Sequence, residues 1–301
     1  MTIEFGIALS RVGGVKEQAQ QLEAMGFDFL AVGEHVSFNV AVSNSLISLA
    51  TAAGATSRIK LMSTIVLVPL YPAALLAKLV ASLDVASEGR YHFGIGVGGE
   101  IAHEFEACGI PLKERGARTD EALGLLKRLW TERNVDFEGR FNTLHGVTID
   151  PPPVQQPHPP IWVAGRQEVA MRRAARYADG WLPYMYTPEQ LASSLERINA
   201  ERDTPIRPGL FIFATVHEDG DEARRRCIER LSKQYAQDFS KLVDRYALAG
   251  TPDEVRARLQ EYLDAGAETV IMSSACHQND VDANHALLAA EIVGPYGQAN
   301  G

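Results

Sequence analysis

Glu34 and His35 are adjacent residues whose side chains could carry out proton transfer. An imidazole titrates near neutral pH, and a carboxylate beside it can hold the ring or stabilise its charge. A histidine whose hydrogen bonds are satisfied by nearby backbone is the alternative interpretation. Glu100, which closes a glycine-rich run, is a further acidic residue that could assist. We therefore predict that His35, Glu34 and Glu100 are catalytic.

The glycine-rich run GIGVGGE ends at Glu100 and could receive a flat ring. It holds four glycines in six positions, and glycine lets a planar ligand approach the backbone closely. A dinucleotide-binding fingerprint would place its glycines in a strand-to-helix turn with an acidic residue about 20 positions later, and that context is missing. We predict that Gly96, Gly98 and Gly99 contact a ring; a tight barrel corner without a ligand is the alternative.

Ser63, Thr64 and Ile65 lie at the end of another predicted strand. Small hydroxyl side chains at such a position can touch a planar ligand without crowding it. We include the three residues among those that bind the ring.

The residues Ala164, Gly165 and Arg166 precede a predicted helix, EVAMRRAARYA. Free N–H groups at the start of a helix, together with a neighbouring guanidinium, form a site for a phosphate. We predict that these three residues bind the phosphate of a cofactor. An ordinary loop with a solvated arginine is the alternative.

All of these candidates lie at the ends of predicted strands. Eight runs are typical of strands and alternate with helical stretches, near residues 3–9, 27–33, 59–68, 91–97, 160–164, 180–183, 209–216 and 268–273. Four junctions carry a glycine at which a helix would end in a left-handed conformation, namely Gly26, Gly89, Gly180 and Gly266. Eight β/α units predict an α/β fold, a single (β/α)₈ TIM barrel, in which the loops after the strands carry the chemistry.

The predicted helices have apolar stripes. Leu75, Leu79 and Leu83 recur at the spacing of one helical face. We expect this face to pack on the barrel.

Residues 134–160 interrupt the repeat before strand five. They contain two strand-like runs around a turn at Glu138-Gly139, followed by the proline-rich run PPPVQQPHPP. We predict a hairpin and an extended connector that together form a covering loop. A polyproline II ligand for a partner domain is the alternative for the proline-rich run.

Composition limits the classes of function. The chain has 301 residues, of which 46% are hydrophobic and 22% charged, and we expect one globular domain over residues 1–301. Its net charge of -9 argues against a nucleic-acid partner, and no apolar stretch approaches the roughly 20 residues of a membrane span. Three scattered cysteines form no metal-binding cluster. We expect a cytoplasmic protein with a small-molecule substrate, no metal, no membrane partner, and association as a homodimer.

Several motifs together resemble one known family. They are Glu34-His35, SEGRYHFGIGVG, Glu104-Phe105 with Gly109, RGARTDEALGLLKRLW, DFEGRF, PPPVQQPHPPIWVAG and RRAARYADGWLP, spread over most of residues 1–275. In this order they resemble the bacterial luciferase-like (β/α)₈ oxidoreductases, and most closely the subgroup that uses the deazaflavin coenzyme F420. The resemblance implies that the residues after strand two lie beside the deazaflavin, that a cis peptide at Thr64-Ile65 backs the ring, and that the loop at 164–166 takes the phosphate.

Two departures leave the substrate undefined. Many relatives have a tryptophan directly after the strand-four glycines, where this chain has Gly99 and Glu100. Some relatives also have a tryptophan four residues beyond the histidine, where this chain has Asn39.

From the resemblance we expect an oxidoreductase that transfers a hydride between F420 and a small organic substrate. An FMN-dependent monooxygenase that uses O2 is the alternative among enzymes, and a non-catalytic flavin- or deazaflavin-binding protein is the alternative outside them.

Overall fold

The chain folds into a closed barrel of eight parallel strands surrounded by helices. The computed structural model describes residues 2–297, so residue 1 and residues 298–301 of the predicted domain lie outside the described residues. The barrel strands are β1 (Glu4–Ala8), β2 (Phe29–Val32), β3 (Lys60–Ser63), β5 (Tyr91–Gly96), β8 (Ile161–Ala164), β9 (Gly180–Leu182), β10 (Arg207–Val216) and β12 (Thr269–Ser274). The predicted (β/α)₈ barrel and all eight predicted strands are confirmed.

Strand register closes the ring. β1 pairs with β2 on one side and with β12 on the other, and the last contact, between β9 and β10, aligns Gly180 with Arg207. The remaining strands are β4 (Val66–Leu67), which pairs with β5, the hairpin β6 (Val135–Glu138) and β7 (Thr143–Val147), and β11 (Ala247–Gly250). β11 adds to the outer end of β10 and was not predicted.

Helices follow most strands. They are α1 (Val15–Ala24), α2 (Ser45–Ala53), α3 (Ala73–Ala86), α4 (Ala102–Ala107), α5 (Arg115–Thr131), α6 (Glu168–Tyr177), α7 (Pro188–Asn199), α8 (Gly220–Tyr235), α9 (Val243–Tyr246), α10 (Pro252–Asp264), α11 (Val281–Leu287) and α12 (Gly294–Gly297). Short 3₁₀ turns span Val68–Leu70, Leu112–Glu114 and Gln278–Asp280, and a π-helical segment spans Leu288–Val293. No helix within residues 2–297 combines the length and apolar character needed to cross a membrane.

The face of α3 that was predicted to pack on the barrel is not the buried one. Leu75 and Leu79 are 52% and 36% exposed, whereas Leu76 and Val80 are fully buried and Leu83 is nearly so. The helix is apolar on more than one side, and therefore its spacing alone did not identify the face that packs on the barrel.

Three of the four predicted junction glycines adopt the left-handed conformation. Gly26, Gly89 and Gly266 have φ values of 87°, 78° and 101°. Gly180 was predicted wrongly, since it is the first residue of β9 and has no positive φ. A Cβ at this position would collide with the indole ring of Trp162, so the glycine makes room for a core side chain.

The predicted hairpin and connector before strand five are confirmed. β6 and β7 pair antiparallel, and the proline-rich connector follows them. The Gln155 side chain anchors this connector, because its Nε2 donates to Asp84 Oδ1 at 2.6 Å and to the Tyr91 carbonyl at 2.7 Å. The proline-rich run is thus bonded to the barrel rather than held out as a free polyproline ligand.

Candidate active site

A cavity of about 490 Å³ lies at the carboxyl ends of the barrel strands. Most of the predicted site residues line it, namely Glu34, His35, Thr64, Ile65, Gly96, Gly98, Glu100, Ala164, Gly165 and Arg166. Ser63 and Gly99 lie outside the lining. No lining residue comes from residues 134–160, whereas residues 40–43 border the cavity, and the covering role of residues 134–160 stays a prediction.

His35 is held by a buried carboxylate that the sequence did not single out for catalysis. Its Nδ1 lies 3.3 Å from both Oε1 and Oε2 of Glu104, and Glu104 Oε2 also accepts from the Val36 N–H at 3.0 Å. Glu104 lies on α4 and is fully buried, whereas the imidazole is partly exposed to the cavity. Because Nδ1 faces Glu104, Nε2 is the ring nitrogen left for a ligand.

The Glu34 carboxylate hydrogen-bonds to residues of three neighbouring segments. Its carboxylate accepts from the Leu67 N–H at 2.8 Å, from Ser45 Oγ at 2.9 Å and from Asn44 Nδ2 at 3.1 Å, and from the Tyr71 hydroxyl at 3.2 Å. Burial raises the pKa of Glu34, although these hydrogen bonds oppose the shift. The contacts fit a residue that positions the loop after β2 and the start of α2.

The Thr64-Ile65 peptide bond is cis, as the resemblance implied, and both residues line the cavity. Ser63 lies behind them, where its buried Oγ accepts from the Gly94 N–H at 2.9 Å and contacts the Tyr91 hydroxyl at 3.0 Å. Thr64 Oγ1 is buried without a hydrogen-bond partner among the residues described. An orphaned oxygen beside a cavity is a position at which a bound ligand could donate a hydrogen bond.

The glycines at the end of β5 and just after it leave space for neighbouring side chains. Gly98 has a φ of 61°, and a Cβ there would lie 2.7 Å from Leu67 Cδ2 and 3.1 Å from Phe105 Cζ. A Cβ at Gly96 would collide with Ile65. These contacts account for glycine at position 98 without a ligand, and the predicted contact of Gly98 with a ring stays a prediction.

Arg115 occupies the space beside Gly99 and was missed by the sequence reasoning. A Cβ at Gly99 would lie 2.7 Å from Arg115 Nε, and Gly99 has a φ of 109°. The guanidinium lines the cavity, its Nη1 donates to the Leu112 carbonyl at 3.0 Å, and its buried Nε has no partner within residues 2–297. Its position at the start of α5, after the glycine-rich loop, is the only signal that the sequence offered.

The loop after β8 carries the features expected of an anion site. Ala164, Gly165 and Arg166 line the cavity, and α6 begins two residues later with no side-chain hydrogen bond to its first turn. N–H groups at such a helix start are available to an anion. The Arg166 guanidinium lies over the Tyr184 ring at 5.4 Å from its centroid, and Arg11, Arg115 and Arg230 also line the cavity.

Glu100 is hydrogen-bonded to Tyr184, a residue that follows β9. Burial, followed by the charge of Glu100, raises the pKa of the Tyr184 phenol. The phenol therefore stays protonated and donates to the carboxylate. The position of Tyr184 just beyond a predicted strand could have identified it from the sequence.

The chain is similar in sequence to known luciferase-like proteins. The family model described as luciferase-like monooxygenase matches residues 6–269. The chain is 28% identical over 235 residues to the FMNH2-dependent dimethylsulfone monooxygenase of Pseudomonas putida, a match that covers 72% of this chain and 62% of the relative. The chain thus spans about three fifths of the length of that curated relative.

Two solved structures superimpose on nearly the whole chain. A monooxygenase of Streptomyces bottropensis is 27% identical, with a TM-score of 0.83 and coverage of 98% of this chain and 100% of its own. An F420-dependent secondary alcohol dehydrogenase in complex with an F420-acetone adduct is 19% identical, with a TM-score of 0.85. The match covers 98% of this chain and 99% of the dehydrogenase. The second likeness concerns the fold alone.

Proposed function

The chain belongs to the luciferase-like monooxygenase family, and from this premise we propose that it transfers a hydride between coenzyme F420 and an organic substrate. The observation that carries the proposal is that one cavity unites the Thr64-Ile65 wall, the anion site at Arg166 and the histidine held by Glu104. Each part corresponds to one need of such a reaction, namely a surface for the ring, a place for the phosphate and a group that exchanges a proton.

The residues present fit a deazaflavin coenzyme. Thr64 Oγ1 lacks a partner beside the proposed ring position, and the start of α6 with Arg166 and Arg115 can receive the phosphate. When bound, the deazaflavin supplies two-electron hydride chemistry and reacts poorly with oxygen. The protein contributes the orientation of the ring and of the substrate.

His35 is the residue that we assign to proton transfer. With Nδ1 held by Glu104, Nε2 can take a proton from a substrate hydroxyl or return one to a carbonyl oxygen. Glu34 positions the loop that carries His35 through its bonds to Leu67 and Ser45. Glu100 acts with Tyr184 as the second polar group near the substrate.

An FMN-dependent monooxygenase is the second candidate, and a specific observation favours it. Two proteins that are 28% and 27% identical to this chain are named monooxygenases, while the F420-dependent dehydrogenase shares 19%. The same cavity would then hold FMN, with the phosphate again at Arg166.

Titration of the purified protein with F420 and with FMN, each in both redox states, tests the proposal. Tight binding of F420 with weak binding of FMN is the expected result. The reverse preference would replace the proposal with the second candidate. Failure of both coenzymes to bind would overturn both, and binding without turnover of any substrate would favour a non-catalytic binding protein.

Arg166→Ala should weaken coenzyme binding about tenfold or more, because a charge-assisted hydrogen bond contributes about 1.5 to 3 kcal/mol. Arg172→Ala is the matched control, since Arg172 lies on α6, pairs with Glu168 and has a 55% exposed side chain outside the cavity. Isothermal titration calorimetry measures both variants. Equal affinity in the Arg166 variant and the control would remove Arg166 from the site.

A further inference from the structure

We infer that the part of the cavity next to His35 binds a flat aromatic substrate, an inference that rests on the proposed function for the position of the coenzyme. Five aromatic side chains line this part of the cavity, and we call them the aromatic wall: Phe38, Tyr184, Phe211, Phe213 and Tyr235. They come from the loop after β2, from the segment after β9, from β10 and from the end of α8. Residues so distant in sequence form one surface only in the folded barrel.

Four of the five rings of the wall, those of Phe38, Tyr235, Phe213 and Phe211, are linked by contacts of defined geometry. Phe38 stacks on His35 with centroids 4.1 Å apart and an interplanar angle of 6°. Tyr235 stands nearly perpendicular to Phe38, at 6.4 Å and 78°, and to Phe213, at 6.0 Å and 73°. Phe211 and Phe213 are also perpendicular, at 5.7 Å and 86°.

Perpendicular rings form a corner that suits a planar ligand. A flat aromatic ring can stack on one wall member while its edge meets the face of the next, and both arrangements are favourable for aromatic pairs. A saturated ligand of the same size gains only the buried area. Phe38, Tyr184, Phe211 and Tyr235 are only half-buried, so their rings are accessible from the cavity.

The polar groups at the wall define where a substrate oxygen would lie. The Tyr184 hydroxyl donates to Glu100, and the His35 ring that stacks on Phe38 leaves Nε2 free of any partner among residues 2–297. A hydroxyl or carbonyl oxygen carried on an aromatic ring would meet these groups while the ring contacts the wall. The chemical class that fits is therefore an aromatic alcohol or an aromatic carbonyl compound.

The test compares 2-naphthol with its saturated counterpart decahydro-2-naphthol, by calorimetric titration of the complete protein without added coenzyme. We expect 2-naphthol to bind roughly three- to tenfold more tightly, which is the size of one aromatic pair contribution. Tyr235→Leu should reduce this preference to near unity, and Phe38→Leu, on a different element, should reduce it as well. Tyr246→Leu is the control, because Tyr246 contacts Arg245 outside the cavity.

The outcomes separate this inference from the proposed function. Equal affinity for the two probes, or an unchanged preference in folded Tyr235→Leu and Phe38→Leu, would overturn the aromatic wall as a substrate site. Displacement of 2-naphthol by saturating F420 or FMN would also overturn it, because the probe would then occupy the coenzyme position. A preserved preference in a protein that binds neither coenzyme would support the wall and contradict the proposed function.

Discussion

Glu34 and His35 are adjacent in sequence but serve different parts of the structure. Both residues line the cavity, but the carboxylate of Glu34 is hydrogen-bonded to Ser45 of α2, whereas the imidazole of His35 contacts another acid. The acid that actually contacts His35 is Glu104, which lies 69 residues further along the chain. The sequence therefore singled out a histidine that lines the cavity but could not identify its carboxylate partner.

Glu104→Gln should separate positioning from catalysis. The amide keeps the bond to the Val36 N–H through its oxygen but removes the negative charge beside His35. We expect turnover to fall about tenfold or more, less than the 10²- to 10⁴-fold typical of losing a general acid or base altogether.

Glu106→Gln is the control for this variant, since Glu106 lies on the same helix and is exposed. Coenzyme affinity should be unchanged in both proteins, because neither carboxylate is at the phosphate site. Unchanged turnover in Glu104→Gln would show that the negative charge beside His35 is not needed for the reaction.

At the scale of elements, the sequence predicted the strands well but placed the buried face of α3 wrongly. Runs such as those of β5 and β12 are buried on both sides and bounded by glycine, and this pattern is hard to confuse with a surface helix. In α3, by contrast, alanine and leucine occupy several faces, so the buried face depended on the neighbours it packs against. The unpredicted β11 is a four-residue strand on the outside of the barrel that depends on pairing with β10.

The sequence predicted the cavity residues that follow barrel strands, but it did not predict the cavity residues that belong to helices. His35, Thr64, Ile65 and the loop at 164–166 line the cavity because barrel strands end at one face. Arg115 and Tyr235 also line it, but they belong to helices. Their approach is set by tertiary packing, which no local pattern encodes.

Gly98→Ala tests whether the glycines after β5 serve packing or a ligand. The left-handed backbone and the 2.7 Å approach to Leu67 Cδ2 predict a loss of unfolding free energy of about 1 to 3 kcal/mol. Gly124→Ala is the control, because Gly124 lies inside α5 with nothing near its missing Cβ, and alanine there should stabilise by about 0.5 to 1 kcal/mol. Urea denaturation measures both. A fully stable Gly98→Ala protein that binds no coenzyme would restore the interpretation that the glycine makes room for a ring.

At the scale of the whole molecule, the two ends of the barrel have different roles. The cavity occupies the carboxyl ends of the strands, whereas charged residues at the other end link β1, β3 and β10 through Glu4, Lys60 and Arg207. Changes at the second end should therefore affect stability more than coenzyme binding. The homodimer stays a prediction, which light scattering of the purified protein checks.

His92 lies in the barrel interior and should make stability depend on pH. Its Nδ1 accepts from Trp162 Nε1 at 3.1 Å, and its ring packs edge-on against Phe29. Burial, assisted by the charges of Arg207 and Lys60, lowers the pKa of His92 to about 3. An unfolded histidine has a pKa near 6.5, so below that pH the unfolded chain binds the extra proton and the unfolding free energy decreases as the pH falls.

His92→Gln isolates this effect, because the amide oxygen can still accept from Trp162 but the side chain no longer titrates. Between pH 7 and pH 5 the wild-type protein should lose about 2 kcal/mol of unfolding free energy through His92, at about 1.4 kcal/mol per pH unit. Between pH 7 and pH 5 the unfolding free energy of the variant should fall by about 2 kcal/mol less than that of the wild-type protein, whatever the stability of the variant at pH 7. His103→Gln, at an exposed histidine of α4, should keep the wild-type pH dependence. Urea denaturation at the two pH values measures all three proteins, and an unchanged pH dependence in His92→Gln would mean that the folded barrel accepts a proton on His92.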